Sequence, residues 1–392
     1  MNAALLNIEI QQFIDASLND DVAKLAFQKN PFPQVPWVEI LNQIAAKQKA
    51  KSKLPTWFQT CNILYPSKVS VEQTSSEKTA SYKASLVSGS SLIDLSGGFG
   101  VDDYYFAQQL QQVVHCEINS ELSAIVAHNS IHLGLTNFQC IAGDSTTILR
   151  ELNQLFDWIY IDPSRRSDSK GKVFMLQDCL PNVPELLDLY WNYSANILIK
   201  TAPILDLSAG LSELKHVKAI HIVAVDNEVK ELLWVLEKQY TGSVSLSTSN
   251  LKKESTESFS FLQHNLTESV SYSQPKRYLY EPNAAIMKSG GFDEVAVAYG
   301  LDKLHPHSHL YTSEHLITFP GRVFTIESVI EYAKKEMKTH LENQKANITT
   351  RNFPDTVDHI RKKWKIKEGG EQYCFFTTAI SNEKIVLLCT KL

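Results

Sequence analysis

Four acidic residues stand in succession along the first half of the chain, each at the end of a short apolar run. Asp94 ends "SLID", Glu117 ends "QVVHCE", Asp144 closes "FQCIAGD" and Asp162 follows "FDWIYI". A carboxylate accepts hydrogen bonds from hydroxyls and amines. In open α/β sheets, ligands sit beyond the carboxyl ends of the strands. The segment "DLSGGFG" places Gly97, Gly98 and Gly100 after Asp94. Glycines there let the backbone approach a ligand or take positive φ. Glu117 lies about 20 residues on, where an acid can hold two ribose hydroxyls, and Asp144 can accept from an adenine amine. A glycine turn alone also serves a ligand-free connection, and each acid alone also serves as a solvated loop residue. Four in succession point to a nucleotide-like cofactor. The spacing itself does not separate NAD from S-adenosylmethionine, because both share the ribose and the adenine edge.

These residues need a scaffold. From residue 75 to about 245, apolar runs such as "SLIDLS", "FDWIYIDP", "ANILIKTA" and "AIHIVAVD" alternate with helical patterns. That βαβ rhythm predicts a doubly wound, mostly parallel sheet covered by helices on both faces. Residues 1–74 read as helical, in "DASLNDDVAKLAFQK" and "WVEILNQIAAKQKAKSKL", around the proline-rich "NPFPQVP". Residues 246–275 read as sheet-edge strands and a linker. Residues 276–392 read as an α+β module. Its expected helices are "IESVIEYAKKEMKTHLE" and "DTVDHIRKKWK", and its strand pair is "EQYCFFTTAI" and "KIVLLCTKL".

With 392 residues, the chain has room for two or three domains. Its net charge of −5 gives no chain-wide basic signature, so any nucleic-acid surface must be local. The six cysteines are scattered without a CxxC pair. They read as free thiols rather than zinc ligands or a disulfide framework. No stretch approaches the roughly 20 apolar residues of a membrane span. The start carries no positive leader. A cytoplasmic location is expected.

Residues Asp162 to Arg166, "DPSRR", occupy the mouth of the sheet after the fourth strand. With "DLSGGFG", Glu117 and Asp144, they make residues 75–245 resemble the class I S-adenosylmethionine-dependent methyltransferases. "DLSGGFG" looks like the first motif of that family and "DPSR" like the catalytic motif after its fourth strand. The stretches "YEPNAAIMKSGGF" and "RNFPDTVDHIRKKWKIKEGGEQYCFFTT" resemble the C-terminal parts of bacterial members with a THUMP-like domain (residues about 319–392). The resemblance implies a seven-stranded Rossmann-like methyltransferase sheet, with S-adenosyl-L-methionine as cofactor. Its holders would be Asp94, Ser96, Gly97, Gly98, Gly100, Glu117, Ile118, Asp144 and Ser145. Ser96 departs from the motif, which has glycine there.

Methyl transfer from a sulfonium is an in-line displacement in which the enzyme mainly positions the reactants. The resemblance gives Asp162 and Pro163 the task of holding the acceptor, with Arg165 stacking on a base or pairing with phosphate. "DPSR" also resembles the "DPPR" of uracil C5 methyltransferases. Those need a cysteine after the fifth strand, where this chain has "LIKTAPILDLS". A nitrogen or oxygen acceptor is therefore expected. Arg166 is a substrate candidate, as are Asn227 and Glu228, read as a strand-to-helix mouth. Thr79, Tyr82 and Lys83 either close over the cofactor or cap and pack a helix. "HPHSH" reads as a polar loop, and no metal is expected. "HIRKKWKIKEGG" is a basic patch with an aromatic inside it; Lys362, Lys363 and Trp364 would contact RNA, and Trp364 reads equally as the core face of an amphipathic helix. Methylation of a base nitrogen in tRNA or rRNA follows as the expected function. Two other classes stay open: a methyltransferase of proteins or small molecules, and a non-catalytic RNA-binding scaffold.

Overall fold

The short apolar runs form strands, and polar residues cap many of the helices between them. The computed structural model describes residues 2–165, 175–263, 265–266 and 268–392. The chain divides into two units, Met1–Lys218 with Leu232–Thr241, and Ala219–Glu231 with Gly242–Leu392.

The first unit opens with helices α1 (Ile8–Ala16), α2 (Val22–Leu25), α3 (Trp37–Lys53), α4 (Pro55–Gln59), α5 (Lys68–Gln73) and α6 (Glu77–Ala84). Asn7, Asp21, Ser67 and Ser76 each accept a backbone N–H of the helix they precede, which satisfies donors that have no intrahelical partner. Ile10 and Ile14 of α1 pack against Ile40 and Ile44 of α3. The spacing of four places each pair on one face.

Strand and helix then alternate: β1 (Ser91–Asp94), α7 (Val101–Ala107), β2 (Gln112–Glu117), α8 (Ser120–His132), β3 (Phe138–Ala142), α9 (Ser145–Leu152) and β4 (Trp158–Ile161). A short antiparallel pair follows, β5 (Ser164–Arg165) with β6 (Cys179–Leu180). Next come α10 (Val183–Tyr190), β7 (Asn196–Thr201) and α11 (Leu207–Glu213). Then β8 (Val217–Val225) and β9 (Glu228–Glu237) run on from each other. Within the first unit, β1 pairs in parallel with both β2 and β4, β2 with β3, and β4 with β7. Leu232–Glu237 of β9 pair antiparallel with β7. The chain leaves β1 on one side for β2 and β3, and on the other for β4 and β7. That reversal opens a crevice at the carboxyl ends of β1 and β4.

One expectation fails here. "EVKELLW" is not a helix but the first part of β9. Asp226 and Asn227 both take positive φ, 48° and 66°, and join β8 to β9 as a two-residue turn. Asn and Asp favour that left-handed pair, whose twist suits a hairpin.

In the second unit, Ala219–Val225 of β8 pair in parallel with β10 (Ser245–Leu251), and β10 pairs antiparallel with β11 (Thr256–Leu262). These are the strands expected at the sheet edge. A second sheet follows. It contains β12 (Tyr278–Pro282), then, beyond α12 (Ala284–Ser289) and α13 (Phe292–Tyr299), β13 (Asp302–Lys303), β14 (Tyr311–Ser313) and β15 (Gly321–Glu331). After α14 (Lys334–His340) come β16 (Asn347–Arg351), α15 (Val357–Trp364), β17 (Gln372–Thr378) and β18 (Lys384–Lys391). The strand order is β13-β14-β12-β15-β18-β17-β16. "IESVIE", expected to start a helix, belongs to β15, and only Lys334–His340 coil. Its β-branched residues favour a strand once β12 and β18 flank it. Among the described residues, no helix is long and apolar enough to cross a membrane.

Candidate active site

The crevice of the first unit collects the strand-end residues. Asp94 ends β1 with only 2% of its surface exposed. Its Oδ1 accepts the Ser96 N–H at 2.7 Å and the Ser96 hydroxyl at 2.9 Å. The chain then turns through Gly97 to Gly100 into α7. Gly97 cannot carry a side chain, because a Cβ there would lie 2.2 Å from Cε1 of the buried His115 ring. Gly98, at φ +58°, faces open space; a Cβ there would meet only the Ser96 carbonyl, at 3.7 Å.

Glu117 ends β2 and folds back onto the same turn. One oxygen accepts the Gly98 N–H at 2.9 Å and the other the Asn119 N–H at 2.7 Å. A carboxylate has roughly four acceptor sites, so capacity for a diol remains. Ile118 beside it is 78% exposed and presents an apolar face at the same edge. Asp144 caps α9, whose first residue is Ser145. Its Oδ1 accepts the hydroxyls of Thr146 and Thr147 and the Thr147 N–H. Those bonds, the Thr146 hydroxyl first, hold its carboxyl below the usual range. Its Oδ2 has no partner among the described residues. The open glycine turn, the acids with spare acceptor capacity and the apolar face fit a nucleoside carrying an amino-acid end, as in S-adenosylmethionine.

Beneath the turn lies a buried acid cluster. His115 Nδ1 is 2.7 Å from Asp103 Oδ2, and both side chains are wholly buried. Burial pushes the carboxyls of Asp94 and Asp103 well above the usual range, with Asp103 adding to the effect on Asp94 and Asp102 to that on Asp103. Burial lowers the His115 imidazole, against the raising effect of Asp94 and Glu117.

Asp162, after β4, is held at two points. Its N–H donates to Ser96 Oγ at 2.6 Å, and its Oδ2 receives the Lys200 ammonium at 2.5 Å. Pro163 is buried beside it. The backbone of Arg165 lies in β5, and Arg166 falls outside the described residues. Lys200 carried no expectation from the sequence. Its only signal is its place near the end of β7, the neighbour of β4.

Other expectations land elsewhere. Lys83 is fully buried and paired with Asp102, at 3.2 Å, and with the Ser75 hydroxyl, at 3.0 Å. Tyr160 also donates to Asp102. Lys83 and Thr79 thus pack α6 rather than line an open cleft. In the second unit, Asn227 gives its N–H to Asn250 and accepts the Ala284 N–H. Glu228 beside it is exposed and pairs with Lys230. No helix follows them directly in the chain; the N–H that Asn227 accepts is that of the first residue of α12. Of the two readings of Trp364, the packing matches the core face. The residue is 7% exposed and packs with Ile360, Met337 and Phe376, because its position on α15 shares the buried face with Ile360. Lys362 and Lys363 remain exposed.

The first unit is thus a doubly wound class I methyltransferase fold, and the β1/β4 crevice is its candidate site. Residues 278–320 match a ferredoxin-like domain family, and residues 321–391 match the THUMP domain-like family. A crystal structure from Porphyromonas gingivalis W83, of a protein assigned as a methyltransferase, is 30% identical. It covers 100% of this chain and 99% of its own, with a TM-score of 0.89. The chain belongs to the same family. Two smaller structures align in part. An rRNA methylase of Streptococcus thermophilus is 15% identical over 41% of this chain and 94% of its own, with a TM-score of 0.30. TrmK of M. capricolum in complex with S-adenosylhomocysteine is 16% identical over 41% and 68%, with a TM-score of 0.33. At those values they bear on neither mechanism nor substrate. No curated protein matches the chain.

Proposed function

We propose that this protein transfers a methyl group from S-adenosylmethionine to a base nitrogen of RNA, in tRNA or rRNA, in the cytoplasm. The observation that carries the reading is the row of carboxylates Asp94, Glu117, Asp144 and Asp162 along one edge of the first unit's sheet. Asp94 and Ser96 set the turn for the cofactor's amino-acid end. Glu117 takes the ribose, with Ile118 against the adenine and Asp144 accepting from the adenine amine. The cofactor supplies an electrophilic methyl on a sulfonium. The chain's own work is to orient the acceptor in line with it, which is where most of the rate comes from. Asp162 accepts an N–H of the acceptor amine, aims its lone pair and offers a route for the proton it loses on methylation. Arg165 and Arg166 are the candidates for contact with the base or its phosphate.

The second unit supports an RNA substrate. In its THUMP-like part, α14 and α15 turn Met337, Ile360 and Trp364 inward. Lys334, Lys335, Lys338, Lys362, Lys363, Lys365 and Lys367 are left exposed. Such a basic surface neutralises phosphates. The test incubates methyl-labelled S-adenosylmethionine with the protein and RNA from cells lacking its gene, then digests the RNA to nucleosides. A single labelled N-methyl base supports the reading; label confined to protein or small molecules overturns it.

A further inference from the structure

Asp162 is gripped on both sides by residues that the strand-end pattern does not single out. On one side the Ser96 hydroxyl receives the Asp162 N–H at 2.6 Å and donates its own proton to Asp94 Oδ1 at 2.9 Å. A glycine at position 96 could make neither bond. One hydroxyl therefore ties the acid under the cofactor turn to the backbone of the acceptor acid. On the other side the Lys200 ammonium lies 2.5 Å from Asp162 Oδ2. The Lys200 side chain is 16% exposed, and that of Asp162 is 36% exposed. Lys200 projects from β7, whose backbone is paired to β4, so the ammonium is anchored to the same rigid sheet as the acid it holds. A charge-assisted hydrogen bond of that length is strong and directional. It occupies Oδ2, and among the described residues no hydrogen bond engages Oδ1.

We infer that Ser96 and Lys200 are positioning residues for Asp162, setting the acceptor's geometry relative to the cofactor turn. Ser96 fixes the height of the Asp162 backbone above the first motif, and Lys200 fixes the rotation of its carboxylate. This accounts for serine where the resembling family has glycine. The inference rests on the proposed acceptor-holding role of Asp162.

Two assays test it separately. The first is methyl transfer to total RNA from cells lacking the gene, beside calorimetric binding of S-adenosylhomocysteine. Lys200→Met is expected to lower the transfer rate about 10–100-fold, the range of a small misplacement of a reacting group. Binding of S-adenosylhomocysteine should stay within about threefold. Lys200→Arg should recover part of the loss, and Ser96→Thr should retain more transfer than Ser96→Gly. Adding Lys200→Met to Asp162→Asn should cost little further, because Lys200 acts through Asp162. A full additional loss in the double variant overturns that route, and so does unchanged transfer in Lys200→Met. If Asp162→Asn itself transfers normally, the acceptor-holding reading fails, while the clamp is judged by the second assay.

That assay needs no substrate. Urea unfolding midpoints are measured for Asp162→Asn, Lys200→Met and the double variant. A non-additive shift for the Lys200 pair is expected. Strict additivity for that pair, with transfer unaffected by both Ser96→Gly and Lys200→Met, removes the clamp altogether.

Discussion

Gly97→Ala is the smallest change that probes the turn and its support together. Gly97 does not occupy the left-handed region, so alanine brings no backbone strain. The penalty is contact alone. The new methyl would stand 2.2 Å from His115 Cε1, 2.5 Å from Nδ1 and 2.6 Å from Nε2, where carbon contacts normally settle at about 3.5–4.0 Å. The ring must therefore retreat by more than about 1 Å. It has little freedom to do so, being wholly buried and tied to Asp103 at 2.7 Å. Overpacking of this kind costs about 1–3 kcal/mol, and the pinned ring places Gly97→Ala at the upper end. At about 2–4 °C per kcal/mol for a unit of this size, the melting temperature should fall by about 6–12 °C. Calorimetric melts of the purified variant measure it. Truncating the ring gives the control: in a His115→Ala background the Gly97→Ala penalty should shrink below about 1 kcal/mol. A Gly97→Ala protein that melts with the wild type, or an equal loss in both backgrounds, refutes the packing of the turn on His115.

Glu117→Gln keeps the shape of the side chain but loses its charge, and hydrogen bonds to charged groups are worth about 1.5–3 kcal/mol. Affinity for S-adenosylhomocysteine, read by calorimetry, should drop about 10–100-fold with the fold intact. Trp364→Ala should cost about 3–5 kcal/mol of stability by opening a core cavity, read as a lower urea midpoint. Lys362→Ala with Lys363→Ala should leave stability within about 0.5 kcal/mol. That pair should instead flatten the salt dependence of RNA binding by about 1.4 in the log–log slope, since two phosphates of a single strand are no longer neutralised. Burial, with Lys303 and Arg351 adding, pushes His309 down to about 4 from its ordinary 6.5. Between those values the unfolded chain binds a proton that the folded one refuses. The wild type should therefore lose stability relative to His309→Phe as pH falls from 6.5 to 4, by less than the full shift implies because solvent reaches the ring. Denaturation curves along that range check it.

The first unit was legible because its signals are local. Strand-end acids, a glycine turn and β-rich runs each follow from a few neighbouring residues, and the parallel order follows from their alternation with helices. The second unit was less so. "EVKELLW" and "IESVIE" hold apolar residues at spacings that suit either element, and the flanking strands decide between them. Trp364 shows the same limit. An aromatic among lysines reads equally as a stacking platform or as the buried face of an amphipathic helix, and only the packing of Met337 and Phe376 against it separates the two. Lys200 was invisible for a different reason. It is 38 residues from Asp162 in sequence, and they meet only because β7 lies beside β4. Serine at position 96 was visible as a departure, but the hydroxyl's bridge to Asp162 needed the return of β4 next to β1.

The most direct test of the central claim is the transfer of label from S-adenosylmethionine to RNA by the wild type and by Asp162→Ala. Both proteins should bind S-adenosylhomocysteine with similar affinity, and only the wild type should place label on a base nitrogen. Label on RNA from both proteins would contradict the role of Asp162. Binding by both, with no label in RNA but label in a protein fraction, would contradict the proposed substrate.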